Sequence, residues 1–314
     1  MDKKILLSGV KPTGRPHIGN YFGAMKQFVE LQNSYQSYIF VADLHALTSV
    51  QNKEELEENT LSVVLDYLAI GLEPKEVVIY KQSDVPQVTE LGWIFNCLTT
   101  MPYLMRAHAF KDAEAKNKEI NVGLFDYPLL MAADILIQDA DVVPVGQDQK
   151  QHVEIARDTA EKFNRIFGET FKLPEPLILE NVATVLGIDG RKMSKSYKNI
   201  ISLFAPDEMI DELVMSIVTD SSSDIPKNVY SIHSLFRDKR SLDNLYESKK
   251  GKYQELKTEL AKDIKEFIRP IREKRNKLKR EDALKILEEG KQKVRPIVEK
   301  KMEEVREKVG LTLE

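Results

Sequence analysis

Lys192-Met193-Ser194-Lys195-Ser196 sets two ammonium groups one helical turn apart on a stretch that also holds Gly187 and Gly190. From such a loop both lysines can reach the same polyphosphate and stabilise charge building on a leaving pyrophosphate. Far upstream, His17-Ile18-Gly19-Asn20 opens a helix, whose first-turn N–H groups offer positive partial charge to an anion. A given five-residue string arises by chance in a chain this long with odds of roughly 1 in 10,000, so the lysine segment is the more specific of the two. The pair points to one polyanionic ligand, ATP, gripped from two places. Gly19 lets a backbone or a nucleotide come close, and His17 and Asn20 add donors without a fixed full charge. His17 also fits a helix cap or an exposed ring. A glycine-bearing lysine loop would permit closure when ATP is present.

Two further groups of residues could bind a ligand. Gly146-Gln147-Asp148-Gln149 follows an apolar run and precedes a helix, which suits contacts to a ribose or an ammonium, although Asp148 is equally a plain N-cap. Asp134 sits in Pro128-Leu129-Leu130-Met131-Ala132-Ala133-Asp134-Ile135-Leu136-Ile137. A carboxylate on such an apolar helix face needs a partner, either a ligand N–H or O–H or a neighbouring protein group. No His/Cys/Asp/Glu spacing suggests a structural metal, so the metal expected is Mg²⁺ carried by ATP. A Ser-His-Asp triad has no positional support.

The elements that must hold these residues emerge from periodicity. Ile5-Leu6-Leu7, Tyr38-Ile39-Phe40-Val41, Val77-Val78-Ile79-Tyr80, Val142-Val143-Pro144-Val145 and Leu177-Ile178-Leu179 read as strands. Between the first two, a loop at 11–16 leads into a helix with Phe22, Met25, Phe28 and Val29 on its apolar face and Lys26, Gln27 and Glu30 toward water. Asn52 with Glu55 predicts a capping box for a helix over 53–70, ended by Gly71 and Pro74. Further helices are expected at 127–137 and 149–167. This alternation predicts an α/β fold with right-handed crossovers and a parallel sheet, whose ligand crevice lies outside the carboxyl ends of the strands. Residues 82–125 break the rhythm as a helical insertion, and from Asp207 onward the pattern is helical, which places a boundary near 205. Pro296 is expected to kink or split the last helix.

Composition bounds the rest. With 314 residues, 42% hydrophobic and 31% charged, the chain can build a large core and two domains. It has no run of eighteen apolar residues and no signal-peptide pattern, so a cytoplasmic protein without a membrane span is expected. The single Cys97 excludes an intramolecular disulfide and reads as a small buried hydrophobe. Net charge of -4 conceals a C-terminal excess, roughly 21 basic against about 13 acidic side chains over 249–308, which suits nucleic acid or a solvated helix face.

Together, Ser8-Gly9-Val10-Lys11-Pro12-Thr13-Gly14, His17-Ile18-Gly19-Asn20-Tyr21, Ala42-Asp43-Leu44-His45-Ala46-Leu47-Thr48, Gln82-Ser83-Asp84-Val85-Pro86, residues 127–134, Val143-Pro144-Val145-Gly146-Gln147-Asp148-Gln149 and residues 192–196 resemble the class I aminoacyl-tRNA synthetases over essentially the whole chain. Within that class the resemblance is greatest to the tryptophanyl-tRNA synthetase family. It implies a Rossmann-like catalytic domain over 1–205, with the insertion at 82–125 carrying a homodimer interface, then an all-helical anticodon-binding domain over 206–314. The implied reaction is ATP-dependent formation of tryptophanyl-adenylate and transfer to tRNA, by orientation and charge stabilisation without a covalent enzyme intermediate.

The same resemblance implies the site. Asp134 would accept the indole N–H, Tyr127 and Gln149 would hold the ammonium, and Leu7, Gly9, Val41, His45 and Met131 would line the amino-acid pocket. Lys11, Pro12, Thr13, Gly19, Asn20, Gly146, Gln147, Asp148 and Val185 would contact ATP, with Met193, Ser194 and Ser196 beside the catalytic Lys192, Lys195 and His17. Two positions depart from the family pattern: Lys11 stands where many bacterial members carry Gln, and Leu7 where Phe is frequent. Tyrosyl-tRNA synthetases are the nearest alternative, but they place a tyrosine hydroxyl where Leu7 has no polar group. A smaller nucleotidyltransferase would not need the helical C-terminus, and a non-catalytic RNA-binding relative would not need both lysines, His17 and Asp134.

Overall fold

Five short apolar runs pair side by side, all parallel, as β1 (Ile5–Val10), β2 (Gln36–Val41), β3 (Val77–Lys81), β4 (Val142–Pro144) and β5 (Glu175–Leu177). Their order is β3-β2-β1-β4-β5, so the direction of winding reverses between β1 and β4. A computed structural model of the chain describes residues 3–115, 120–146, 150–178, 185–219 and 224–313. β5 begins at Glu175, two residues before the apolar run read from sequence, whose Leu179 lies outside the described residues; Pro176 is tolerated because β5 is an edge strand. Register sets Gly9 opposite Phe40 and Phe40 opposite Tyr80.

The helices that cover this sheet are α1 (Lys53–Ile70), α2 (Gln87–Leu98), α3 (Val122–Ile137), α4 (Lys150–Phe167) and α9 (Arg280–Val309). Asn52 Oδ1 accepts the Glu55 N–H at 2.8 Å to start α1, and Gly71 ends it at φ 108°. Asn121 Oδ1 caps α3 through the Leu124 N–H at 2.8 Å, so this helix begins earlier than its apolar stretch alone indicates. In α2 the buried positions Val88, Leu91, Gly92 and Phe95 share one face, which turns Trp93 and Cys97 outward. Cys97 is exposed, contrary to the reading of its apolar neighbours as a buried run.

Compactness divides the chain into two units, and the division does not fall at 205. One unit holds residues 1–14, 28–180 and 280–314, and the other holds 15–27 and 181–279. The final helix α9 belongs with the sheet: Val294, Val298, Met302 and Val305 join the same apolar core as Leu7, Phe40 and Tyr80. It runs unsplit through Pro296. Gly290 permits this seating, since a Cβ there would lie 1.8 Å from the Ile79 carbonyl oxygen.

The second unit contains α5 (Asp207–Met215), α6 (Lys227–His233), α7 (Lys239–Ser248) and α8 (Tyr253–Lys277). Their core includes Ile210, Val214, Val229, Ile232, Leu242, Leu256, Leu260, Ile264 and Ile268. Into this unit falls the segment at 18–25, which begins as a turn of α-helix and widens into a π-helical turn over Tyr21–Met25. The extra residue rotates the downstream face, so Gln27, expected toward water, is buried. No helix among the described residues is long and apolar enough to cross a membrane.

Gly290→Ala should destabilise the chain by about 2–3 kcal/mol through the forced shift of α9 from β3. A fall in the urea midpoint tests this, and an unchanged midpoint would show that the close approach is not needed.

Candidate active site

In the sheet-bearing unit, the carboxyl ends of β2 and β3 turn toward α3, and polar residues there meet one buried acid. Asp134 is 3% exposed. His45 Nε2 lies 3.0 Å from its Oδ2, and Gln82 Nε2 donates to Oδ1 at 3.0 Å and to Oδ2 at 2.8 Å. Burial raises the Asp134 carboxyl above its ordinary value, while the bonds from His45 and Gln82 pull it back down. Gln82 is itself held, its Oε1 accepting the His45 backbone N–H at 3.2 Å. The turn that carries Gln82 is fastened by Asp43, which accepts from Ser83 N at 2.9 Å and from Ser83 Oγ at 2.5 Å. The other ring nitrogen of His45, Nδ1, is buried and without a partner among the described residues.

The apolar residues named for the pocket lie in the same unit. Leu7 is buried on β1, Val41 is buried at the end of β2, and Met131 is half-buried one turn before Asp134. At Gly9 the Phe40 ring occupies the space of a side chain, 2.8 Å from where a Cβ would stand. Tyr127 is half-buried, its hydroxyl 3.1 Å from His152 Nε2, and burial pushes its phenol up to about 12. Lys11 extends its ammonium to 5.1 Å from the Tyr127 ring centroid, a cation–π contact that occupies the departure from the family's Gln. Pro12, buried, and Thr13, exposed, come directly after β1, and Gly146 comes after β4, so both groups flank the point where strand order reverses. Gln147, Asp148 and Gln149 lie outside the described residues.

In the helical unit, the two phosphate-type segments come together. Ile18 N donates to Ile201 O at 3.0 Å and Leu203 N to Pro16 O at 3.0 Å, an antiparallel pairing with His17 opposite Ser202. His17 N donates to Asn20 Oδ1 at 3.1 Å, and Asn20 N donates to His17 Nδ1 at 3.2 Å. His17 is therefore a helix cap, and the cap fixes its tautomer: with Nδ1 accepting, the neutral ring carries its proton on Nε2. Burial, then the Lys195 charge, lower its pKa to about 4. The ring is a neutral donor at physiological pH. Asn20 spends Oδ1 on the cap, so its Nδ2 is the end suited to a ligand.

Residues 185–193 form a hairpin, with Met193 N donating to Val185 O at 2.9 Å and Gly187 N to Arg191 O at 2.7 Å. Val185 and Met193 are buried, and Gly19 lies so near that an added Cβ would stand 3.4 Å from Met193 Cβ. Asn199 organises the lysine segment. It is 1% exposed, accepts from Ser194 N at 2.8 Å, and donates to Asp189 Oδ1 at 2.7 Å and Lys192 O at 3.1 Å. Gly187 has no room for a side chain against it, an added Cβ falling 2.4 Å from the Asn199 amide. Those bonds, first from Asn199 and then from Arg191, hold the Asp189 carboxyl down at about 2. The Ser194 and Ser196 hydroxyls are 2.8 Å apart, Lys192 is exposed, and Lys195 is half-buried on a 3-10 turn.

The described residues named from sequence thus assemble in two places, and both phosphate segments lie in the helical unit. Gln82, Asp43 and Asn199 were not among the site residues named from sequence. A polar residue just beyond a strand's carboxyl end was the available signal for the first two; nothing local marks Asn199 as a buried hub.

The family described as class I tRNA synthetases (W and Y) matches residues 2–288. A tryptophan--tRNA ligase of Fusobacterium nucleatum is 51% identical over 316 residues, covering 97% of this chain and 97% of its own. One of Campylobacter jejuni is 44% identical over 317 residues, 98% of this chain and 99% of its own. Among solved structures, the Campylobacter jejuni tryptophanyl-tRNA synthetase complexed with ADP and tryptophan is similar at TM-score 0.89 and 43% identity, over 98% of this chain and 99% of that one. A tyrosyl-tRNA synthetase of Archaeoglobus fulgidus is similar at TM-score 0.70 and 20% identity, over 88% and 90% of the two chains, which reflects the fold alone.

His17 should titrate near pH 4 in the folded protein, which NMR of its ring signals checks; a midpoint at or above 6.5 would remove the buried cap. Because the folded value of about 4 lies below the ordinary 6.5, the unfolded chain binds the proton first. The contribution of His17 to stability is complete above pH 6.5 and is lost as pH falls toward 4.

Proposed function

This chain belongs to the class I tRNA synthetases of tryptophan and tyrosine, and from that membership we infer that it is a tryptophan--tRNA ligase. It activates L-tryptophan with ATP to tryptophanyl-adenylate and transfers the tryptophanyl group to tRNA, releasing pyrophosphate and AMP. The observation that carries the choice of tryptophan over tyrosine is full-length identity of 51% to a tryptophan--tRNA ligase. Leu7 agrees with it: the side chain is buried, and it offers no hydrogen bond to a phenol.

Each site residue then has a part in that reaction. Asp134 accepts the indole N–H, supported by a buried carboxylate whose donors hold it in place. Leu7, Gly9, Val41, His45 and Met131 enclose the ring, and Tyr127 with Gln149 holds the ammonium. Residues 11–13, Gly19, Asn20, 146–148 and Val185 contact ATP. A tryptophan carboxylate oxygen attacks the α-phosphorus, and the bond from that phosphorus to the bridging oxygen breaks as pyrophosphate leaves. Lys192 and Lys195 stabilise the charge on the leaving group, held by a loop whose backbone is anchored through Asn199. His17 adds a neutral N–H to the phosphates, and Mg²⁺ carried by ATP would neutralise part of the phosphate charge.

The partners accord with the same reading. Helices within 206–314 bind the tRNA anticodon, with exposed Lys274 and Lys277 on the last turn of α8 among the cations available. Several basic residues counted toward that surface are engaged within the protein instead: Lys265 with Asp211, Arg269 and Arg272 with Asp207, and Arg306 with Glu90 and Glu299. A second copy of the chain covers the insertion, where Trp93 is 70% and Met101 67% exposed beside Cys97 and Met105. Charging of tRNA places the enzyme in the cytoplasm.

ATP–pyrophosphate exchange should depend on L-tryptophan; exchange with L-tyrosine as fast or faster would overturn the assignment. Lys195→Ala should lower kcat for activation by about 100- to 1,000-fold, with KM for tryptophan within about threefold. Single-turnover formation of the adenylate measures this, and an unchanged rate would take the lysine out of the reaction.

A further inference from the structure

β3 ends at Lys81, and the next side chain turns inward: Gln82 is 1% exposed. Both ends of its amide are engaged. Oε1 accepts the His45 backbone N–H at 3.2 Å, while Nε2 donates to Asp134 Oδ1 at 3.0 Å and Oδ2 at 2.8 Å. His45 Nε2 meets Oδ2 a second time, at 3.0 Å. A carboxylate offers about two acceptor positions on each oxygen. Oδ2 is therefore filled by Gln82 and His45, whereas among the described residues Oδ1 is met by Gln82 alone. The clamp leaves Asp134 one position, on a chosen oxygen, for one further donor.

We propose that Gln82 is a specificity-determining positioning residue, which aims Oδ1 of Asp134 so that the site selects an amino acid whose ring carries an N–H donor. The proposal rests on the assignment of Asp134 as acceptor of the indole N–H. An amide suits the task because it donates to the carboxylate without bringing charge of its own. A carboxylic acid at 82 would set two acids against each other and draw a proton between them. An apolar residue would leave both Asp134 and the His45 N–H short of a partner in a dry interior. Gln82 can aim because its own backbone is pinned: Asp43 holds Ser83 through N at 2.9 Å and Oγ at 2.5 Å, and Asp84 Oδ2 accepts from Lys81 N at 3.2 Å. A group fixed on both sides can orient a neighbour with little reorganisation on binding.

The test compares L-tryptophan with β-(3-benzothienyl)-L-alanine, in which sulfur replaces the ring N–H, by kcat/KM for ATP–pyrophosphate exchange. The native enzyme should prefer tryptophan by about 100-fold or more. Gln82→Met, of similar length but without the amide, should lower that preference at least tenfold, mainly through KM for tryptophan. Simple loosening of the pocket would weaken both amino acids alike and leave the ratio intact, which would overturn the proposal. Gln82→Glu preserves shape, and its ratio should fall likewise; it decides the question if the Met variant does not fold. Asp134→Ala, which removes the acceptor, separates the two layers. A preference lost there but kept in the Gln82 variants removes Gln82 alone, whereas a preference kept in Asp134→Ala removes the assignment of Asp134 itself.

Discussion

A carboxylate with 3% of its surface exposed must receive its hydrogen-bond donors from the protein, and this requirement at Asp134 ties the sheet-bearing unit together. Its partners come from the turn after β2 and the turn after β3, while the acid itself stands on α3. None of these elements can shift without leaving a polar atom unpaired, a loss of about 1–3 kcal/mol for each group so stranded. The apolar core that α3 shares with Leu7, Phe40 and Tyr80 supplies the bulk of the stabilisation. The hydrogen bonds decide where within that packing one oxygen points.

The helical unit meets a different constraint. A loop proposed to present lysines to phosphate cannot bury them, and this one is anchored through its backbone instead. Asn199 accepts from Ser194 N and donates to Lys192 O, fixing the chain on both sides of Met193 while using no lysine side chain. Met193 enters the core as a stem, and Gly187 is bare because the Asn199 amide fills the place of its Cβ. The same economy holds at His17, where Nδ1 and Asn20 Oδ1 complete the cap and the outward-facing donors remain Nε2 and Nδ2.

The features legible in the sequence were those that depend on neighbours close along the chain. Apolar runs marked four strands and the neighbourhood of the fifth, Asn52 and Gly71 marked both ends of α1, and the lysine segment announced its chemistry by residue type. The features that failed depend on partners far along the chain. The spacing of Val294, Val298, Met302 and Val305 is the same whether a helix packs on other helices or on a sheet, so the pattern assigned α9 to a C-terminal domain although it completes the core around β1–β5. Cys97 was misjudged because an apolar run does not say which helix face is covered. Gln82 and Asn199 look like ordinary polar residues until Asp134 and Asp189 are beside them.

The division between the units also bears on how charge is handled. Around Asp134 the donors are an imidazole and an amide, and a strong fixed cation is absent from its hydrogen-bond partners among the described residues. An arginine there would satisfy the acid fully and leave a ligand nothing to add. Beside the phosphate-type segments the order is inverted: the fixed cations Lys192 and Lys195 are present, and the histidine next to them is kept neutral by burial and by Lys195 itself. A protonated His17 would compete with the lysines for the same phosphate charge and would forfeit its cap on Asn20. On the proposed reading, donors held by geometry act where direction selects the ligand, and fixed charges act where negative charge grows during the reaction.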